Sequence, residues 1–358
     1  MRVLHIASFV GNFGDLFSHH SLYYHLYRTF KNVEIDRKEI RDFYLNGRES
    51  GNFKNFIDDS VDNYDLLVIG GGGFLSPRKE YSKSSSKCLI EINDATIKKY
   101  GHKIAFVSLG YEGSNVSQTQ TEIVSQAGFL NHIARNGASI WLREDNGTEV
   151  LRRHLDPEIE IGMDVSAFSP FQAAKKVMGQ QLTLGLFVSG GRGDLIETKE
   201  GDLLLASYKK LLNAAFDLGA QIKIFCNTHQ DVAVLASLVD HKIGIDFRKL
   251  INIRMLCNPD INVPEAIRDI SECHIIYSAR YHGGMAALST GVPFITPIEL
   301  EKPAFLGSRY GLSYSTKEIA EGRLNLEKYQ LKPFHEGSII PFQLKRFLEF
   351  LGGIKKLK

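Results

Sequence analysis

The chain reads as an α/β protein built in two halves. Short apolar runs alternate with segments of helical period, which is the pattern of parallel sheets covered by helices. Several of those runs end in glycine or another small residue, as strands do where an open sheet leaves room for a ligand at its carboxyl edge. At 358 residues the chain also exceeds the size at which one core keeps growing, which predicts two domains. The apolar runs place strands at Val3-Ala7, Leu66-Ile69, Lys103-Ser108, Ala138-Leu142, Thr183-Val188, Gln221-Phe225, Cys273-Tyr277 and Pro293-Thr296. Between Asp164 and Gln181 a polar stretch separates one strand series from a second that restarts at Leu182. The expected division is therefore residues 1–170, residues 171–340 and a terminal helix over 341–358. That last segment sets Phe342, Leu344, Phe347, Leu348 and Leu351 beside Lys345, Arg346, Lys355, Lys356 and Lys358. Such a basic amphipathic helix reads as a packed terminal element, expected to pack back on the first domain. The alternative is contact with an anionic membrane surface.

Composition limits the function. A hydrophobic fraction of 43% is enough to fill two cores. The balance of 43 Lys+Arg against 41 Asp+Glu, a net charge of +2, gives no reason to expect a nucleic-acid partner. The start at Met1-Ala7 is interrupted too soon by Gly11-Asn12 to be a signal peptide and reads as a first strand. No apolar run is long enough to span a bilayer. Cys88, Cys226, Cys257 and Cys273 have no metal-ligand spacing, and three lie in or beside apolar strands; buried free thiols in a reducing cytoplasm fit best. No metal is expected. The polar segment Ser76-Lys87 reads as a lid, an acceptor-contacting loop or plain disorder.

Chemistry gathers at the strand ends. Arg280-Tyr281-His282-Gly283 follows an apolar run and precedes Gly284-Met285-Ala286-Ala287-Leu288, an Ala-rich helix. A guanidinium and an imidazole two residues apart, with the amides of a helix start, would hold phosphate or carboxylate. The structural alternative is a solvated Arg and a capping His. After the first strand, Gly11-Asn12-Phe13-Gly14-Asp15 offers a tight turn and two polar groups. Asp15 reads as an N-cap, as a carboxylate over the crevice, or as both. Gly70-Gly71-Gly72-Gly73 leaves backbone amides open to a ligand, but no Walker or dinucleotide spacing follows. Arg143 stands at another strand end, as do Gly190-Gly191-Arg192-Gly193 and Asn227-Thr228-His229-Gln230-Asp231. Asp231 reads as a helix cap, and His229 stays open between capping and catalysis. Lys302 follows the strand-like Pro293-Thr296, flanked by Pro297 and Pro303; alone it would read as solvated surface.

Taken together, the Gly11-Asp15 turn, the glycines from Gly70, Arg143, Asp164, His229, Arg280-Gly283, Gly291-Val292-Pro293 and Lys302 ahead of Tyr310-Gly311-Leu312 resemble the polysaccharide pyruvyl transferase family over nearly the whole chain. The resemblance implies two Rossmann-like domains facing across a cleft in the GT-B manner. It further implies a transferase that moves the enolpyruvyl group of phosphoenolpyruvate onto a sugar of a cell-surface polysaccharide or its precursor. The co-substrate is then phosphoenolpyruvate, with no other cofactor. The partner is a glycan acceptor, lipid-linked or free, and the protein works in the cytoplasm or at the inner face of the membrane. On this reading Arg143, Arg280, Lys302 and Gly283 bind phosphoenolpyruvate, while His282 and Asp15 serve as acid and base in an order the sequence leaves open. Asn12, Gly14, Gly71, Gly72, Arg192 and His229 are weaker contacts to acceptor or backbone cradle.

Two rivals remain at this stage. Ala287-Val292 followed by Pro293 also suits a GT-B nucleotide-sugar glycosyltransferase or epimerase. Many retaining glycosyltransferases carry a Glu five residues before that glycine, however, where this chain has Ala286. A non-catalytic glycan-binding protein would have no reason to gather these cations.

Overall fold

The structure is a computed structural model that describes residues 1–10, 12–43, 51–75, 86–111, 119–171, 181–189, 199–240, 251–257, 261–322 and 339–356. The described residues form two six-stranded sheets in which every strand pair is parallel. By contacts the chain divides into two units. Unit 1 comprises Met1–Val10, Ser18–Phe168 and Ser338–Lys358; unit 2 comprises Gly11–Phe17 and Ser169–Gly337.

In unit 1, strands and helices alternate as β1 (Arg2–Ala7), α1 (Phe13–Thr29), β2 (Glu34–Glu39), α2 (Gly51–Ser60), β3 (Leu66–Gly70), α3 (Asp94–Tyr100), β4 (Ile104–Leu109), α4 (Gln120–Arg135), β5 (Ser139–Arg143), α5 (Asn146–Leu151) and β6 (Glu160–Gly162). The first turn of α1 groups with unit 2. Unit 2 continues with β7 (Thr183–Val188), α6 (Lys199–Asp217), β8 (Gln221–Cys226), α7 (His229–Asp240), β9 (Ile251–Met255), α8 (Val263–Ser271), β10 (Ile275–Ser278), α9 (Tyr281–Ser289), β11 (Phe294–Pro297), α10 (Glu301–Tyr310), β12 (Leu312–Tyr314) and α11 (Thr316–Ala320). The chain then returns to unit 1 as α12 (Ile339–Lys356).

Each strand expected from the sequence is present, with ends shifted by at most two residues. The strands that escaped the sequence reading are β2, β6, β9 and β12, and these are the two edges of both sheets. An edge strand is not covered on all sides, so it needs no unbroken apolar run. The sequence of β2 is Glu-Ile-Asp-Arg-Lys-Glu, and β9 interposes Asn252 and Arg254 while Ile253 and Met255 stay exposed. The central strands supply the cores. Leu4, Ile6, Leu67, Ile69, Phe106 and Ile140 pack in unit 1, and Leu184, Leu186, Ile222, Ile224, Ile275 and Tyr277 in unit 2.

The terminal helix α12 uses its apolar seam inside unit 1. Phe347, Leu351 and Ile354 are buried, and the Phe347 ring lies 5.3 Å from both Trp141 and Phe168. Arg346 pairs with Glu160 and sits 5.6 Å over the Trp141 ring. The opposite face leaves Phe342, Lys345 and Leu348 exposed. No described helix is long and apolar enough to cross a membrane. Truncating Phe347 to Ala is expected to lower stability by about 3–5 kcal/mol, measured by urea unfolding, because a fully buried ring is replaced by a void between Trp141 and Phe168.

Candidate functional site

Sheet order locates the places where a parallel sheet opens. In unit 2 the order β12-β11-β10-β7-β8-β9 reverses between β10 and β7; in unit 1 the order β2-β1-β3-β4-β5-β6 reverses between β1 and β3. At such a reversal the connections leave to opposite faces, so a crevice forms outside the carboxyl ends of the two central strands. In unit 2, β10 delivers Ser278, Arg280 and His282 to that crevice.

Arg280 stands at the N-cap of α9 without capping it by its side chain. The first intrahelical bond runs from the Gly284 amide to the Arg280 carbonyl at 3.2 Å, so the amides of Tyr281, His282 and Gly283 precede the helical ladder. Nη2 of Arg280 pairs with Oδ1 of Asp231 and donates to Oγ1 of Thr228 at 3.1 Å. The other Asp231 oxygen accepts the amides of Asn227 at 2.8 Å and Thr228 at 2.9 Å, and this carboxylate is wholly buried. Arg280 is itself partly exposed, with 22% of its side chain open, and its Nε is buried without an acceptor among the described residues. His282 is buried in the first turn of α9, its ring edge-on to Tyr281 at 5.2 Å. Gly283 fits where a Cβ would collide with Ser278 and Phe187.

The first turn of α1, within the same unit, meets this site. Asn12 bonds the Gly14 amide through Oδ1 at 2.9 Å, and that oxygen also accepts from Nδ2 of Asn227 at 3.4 Å. The N-cap role considered for Asp15 therefore falls to Asn12: Asp15 lies within the helix and is buried. The helix starts three residues earlier than an Asp15 cap would give, because the short amide side chain of Asn12 closes the turn. Gly14 packs against the His282 ring so closely that a Cβ there would overlap Nδ1 and Cγ. Asn12, Gly14, Asp15, Asn227, Asp231, Arg280, His282 and Gly283 thus belong to one local constellation built from three helix starts.

Each of the other candidates has its own surroundings. Lys302 is half-buried in the first turn of α10 rather than in a loop, with Pro303 beside it where a missing amide costs a helix nothing. His229 opens α7 and is exposed, its Nδ1 3.6 Å from Sγ of Cys257. Arg192 lies outside the described residues, as does most of the Ser76-Lys87 segment. Gly71 and Gly72, in unit 1, both take the left-handed conformation (φ 77° and 76°), which lets the chain turn sharply after β3. Arg143, also in unit 1, is buried rather than presented to solvent. Its Nε bonds Oδ2 of Asp145 at 3.3 Å, Nη1 lies 3.8 Å from Oδ2 of Asp164, and Gly110 leaves room for the guanidinium. All four cysteines are buried free thiols. Among the described residues no group of three or more His, Cys, Asp or Glu side chains is arranged to hold a metal.

Sequence reasoning missed the ion pair between Arg280 and Asp231, whose members stand 49 positions apart. It also passed over a cluster at the sheet reversal of unit 1. There His5 stacks edge-on with His19 at 4.7 Å and accepts from or donates to the Tyr23 hydroxyl through Nδ1 at 2.8 Å. His19 Nε2 meets the Ser8 carbonyl at 2.8 Å. Burial first, then the positive fields of His19 and Arg37, hold the His5 pKa well below 6.5.

Comparison with solved structures places the fold. The UDP-GlcNAc 2-epimerase of Methanocaldococcus jannaschii, in complex with UDP-GlcNAc and UDP, is 14% identical with a TM-score of 0.52, covering 98% of this chain and 100% of that chain. A candidate UDP-N-acetylglucosamine 2-epimerase of Listeria monocytogenes is 13% identical with a TM-score of 0.54, covering 97% of this chain and 95% of that chain. This likeness shows a GT-B-like fold and no more. Comparison with curated proteins found no match. The family model for polysaccharide pyruvyl transferase matches residues 12–299.

Two outcomes are expected from this geometry. Gly14→Ala should lower stability by about 1–3 kcal/mol in chemical unfolding, because the added methyl must displace the His282 ring. Stability should also depend on pH through His5. Its folded pKa lies below the unfolded value of 6.5, so its contribution is complete above pH 6.5 and is lost as pH falls toward the folded pKa. Over that window, unfolding titrations of His5→Gln should show a slope shallower by up to about 1.4 kcal/mol per pH unit.

Proposed function

Because the chain belongs to the polysaccharide pyruvyl transferase family, we propose that it moves the enolpyruvyl group of phosphoenolpyruvate onto a sugar of a cell-surface polysaccharide or its precursor, forming a ketal and releasing phosphate. The observation that carries this reading is the Arg280–His282 turn. A partly exposed guanidinium stands at the amino end of α9, two positions from an imidazole that is packed against the start of α1. Guanidinium forks and helix amino ends are the groups that bind phosphate and carboxylate, and phosphoenolpyruvate carries both.

The chemistry needs one proton donor and one acceptor. Protonation of the methylene carbon turns it into a methyl group and leaves an oxocarbenium-like centre at the neighbouring carbon. A sugar hydroxyl attacks that centre and gives up its proton; the carbon–oxygen bond to phosphate then breaks, and a second hydroxyl closes the ketal, its proton leaving with phosphate. Of the two protons lost by the hydroxyls, one balances the new methyl hydrogen and the other the phosphate. His282 is the proposed acid and Asp15 the proposed base, and the two roles are interchangeable on this geometry.

Arg280 is the principal anion contact. Lys302 is the further cation proposed in the same unit; Arg143, proposed as an anion contact of unit 1, is engaged by Asp145 and Asp164, with which an anion must compete for the guanidinium. The glycan acceptor, lipid-linked or free, would draw on the polar groups of Asn12 and His229. No resident cofactor enters the proposal.

The test is release of phosphate from phosphoenolpyruvate in the presence of envelope glycan precursors, with mass spectrometry of the acceptor for a pyruvate ketal. Arg280→Ala and His282→Ala should each lower turnover by about a hundredfold or more while far-UV circular dichroism stays unchanged. Turnover that survives both substitutions would remove the site, and thermal stabilisation by a nucleotide sugar in place of phosphoenolpyruvate would favour a sugar-nucleotide enzyme.

A further inference from the structure

We propose that Asp231 is a positioning residue for the anion site, fixing the plane of the Arg280 guanidinium so that its exposed part is held ready for the phosphoenolpyruvate anion. The inference rests on the phosphoenolpyruvate reading above and adds a residue whose sequence signature is only that of a helix cap.

The argument begins with what an arginine at a strand end would do alone. Its side chain has several rotatable bonds, and ordering them on ligand binding costs affinity. Here Nη2 is taken by two acceptors, Oδ1 of Asp231 and Oγ1 of Thr228 at 3.1 Å. Asp231 cannot swing to follow the guanidinium, because its second oxygen is fixed by the Asn227 and Thr228 amides at 2.8 and 2.9 Å and the carboxylate is wholly buried. The helix cap therefore works in two directions: it closes the start of α7 and clamps one nitrogen of a residue 49 positions away. The planar group is then held against rotation, and the direction of its exposed part follows from that of Nη2. Nε is buried and has no acceptor among the described residues, so an unmet donor lies in the same plane as the exposed part of the group.

A salt bridge that served stability alone would not need the arginine partly open. The Arg280 side chain is 22% exposed while its carboxylate partner is fully buried, so the pair presents the cation outward. The carboxylate does lower the net charge at the site. In exchange it supplies orientation, which matters for a ligand that must place one carbon near His282.

Calorimetric titration with phosphoenolpyruvate tests this in a double-mutant cycle of wild type, Asp231→Asn, Arg280→Lys and the double variant. Asp231→Asn should weaken binding about tenfold in the wild-type background and less than about twofold when position 280 is Lys, since lysine has no plane to orient. Thr228→Val removes the other Nη2 acceptor without disturbing a buried charge, and should weaken binding about threefold even if Asp231→Asn fails to fold. Equal losses in both backgrounds, or wild-type affinity in Asp231→Asn or Thr228→Val, would overturn the positioning role while leaving the phosphoenolpyruvate reading intact. A wild-type protein that takes up no phosphoenolpyruvate would instead overturn that reading, and this inference with it.

Discussion

A cation brought to the end of a buried strand must be matched by an anion that is itself held in place, and this constraint governs both units. Arg143 ends β5 and Arg280 follows β10; each finds an aspartate whose oxygens are engaged by nearby backbone amides. Asp145 accepts the Thr148 amide at 2.7 Å while pairing with Arg143, and Asp231 accepts the Asn227 and Thr228 amides while pairing with Arg280. Burying one charge without the other would cost several kcal/mol, so these pairs are fixed features of the two sheets. The difference between them is exposure. Arg143 is almost wholly buried between two carboxylates, whereas the Arg280 side chain is 22% exposed.

The sheet order sets the second arginine apart. It stands at the reversal between β10 and β7, where a crevice must form, while Arg143 stands away from the reversal between β1 and β3. The start of α1 brings Asn12 and Gly14 to the same place in unit 2, and the absence of a side chain at Gly14 gives the His282 ring its position. A site assembled from helix starts gains polar groups and open amides without needing an insertion.

Much of this was legible in the sequence, and the failures have a common cause. Central strands such as Thr183–Val188 are apolar on both faces and announce themselves, and the Arg-Tyr-His-Gly turn stands out because charged residues rarely follow such a run. Of the edge strands, β2 and β9 are hidden because they carry Glu, Asp, Lys, Asn and Arg among their apolar residues, and β6 and β12 because each is only three residues long. Asp231 was legible as a cap, since capping is local, but not as the partner of Arg280, since pairing across 49 positions leaves no local trace. Asp15 was displaced from the cap by Asn12 because two polar residues competed for one turn, and spacing alone does not choose between them.

The placement of sulfur in this chain gives the molecule a built-in gauge. Cys88 lies in unit 1, while Cys226, Cys257 and Cys273 lie in unit 2, and none reaches the surface. Burial pushes the Cys226 thiol up to about 12 and raises that of Cys257, so neither forms an appreciable thiolate while the sheet is intact. Alkylating reagents would therefore register opening of the backbone and little else. Because the native sulfurs are divided between the halves, peptide mapping of the adducts would time the breathing of each half separately, with no engineered label.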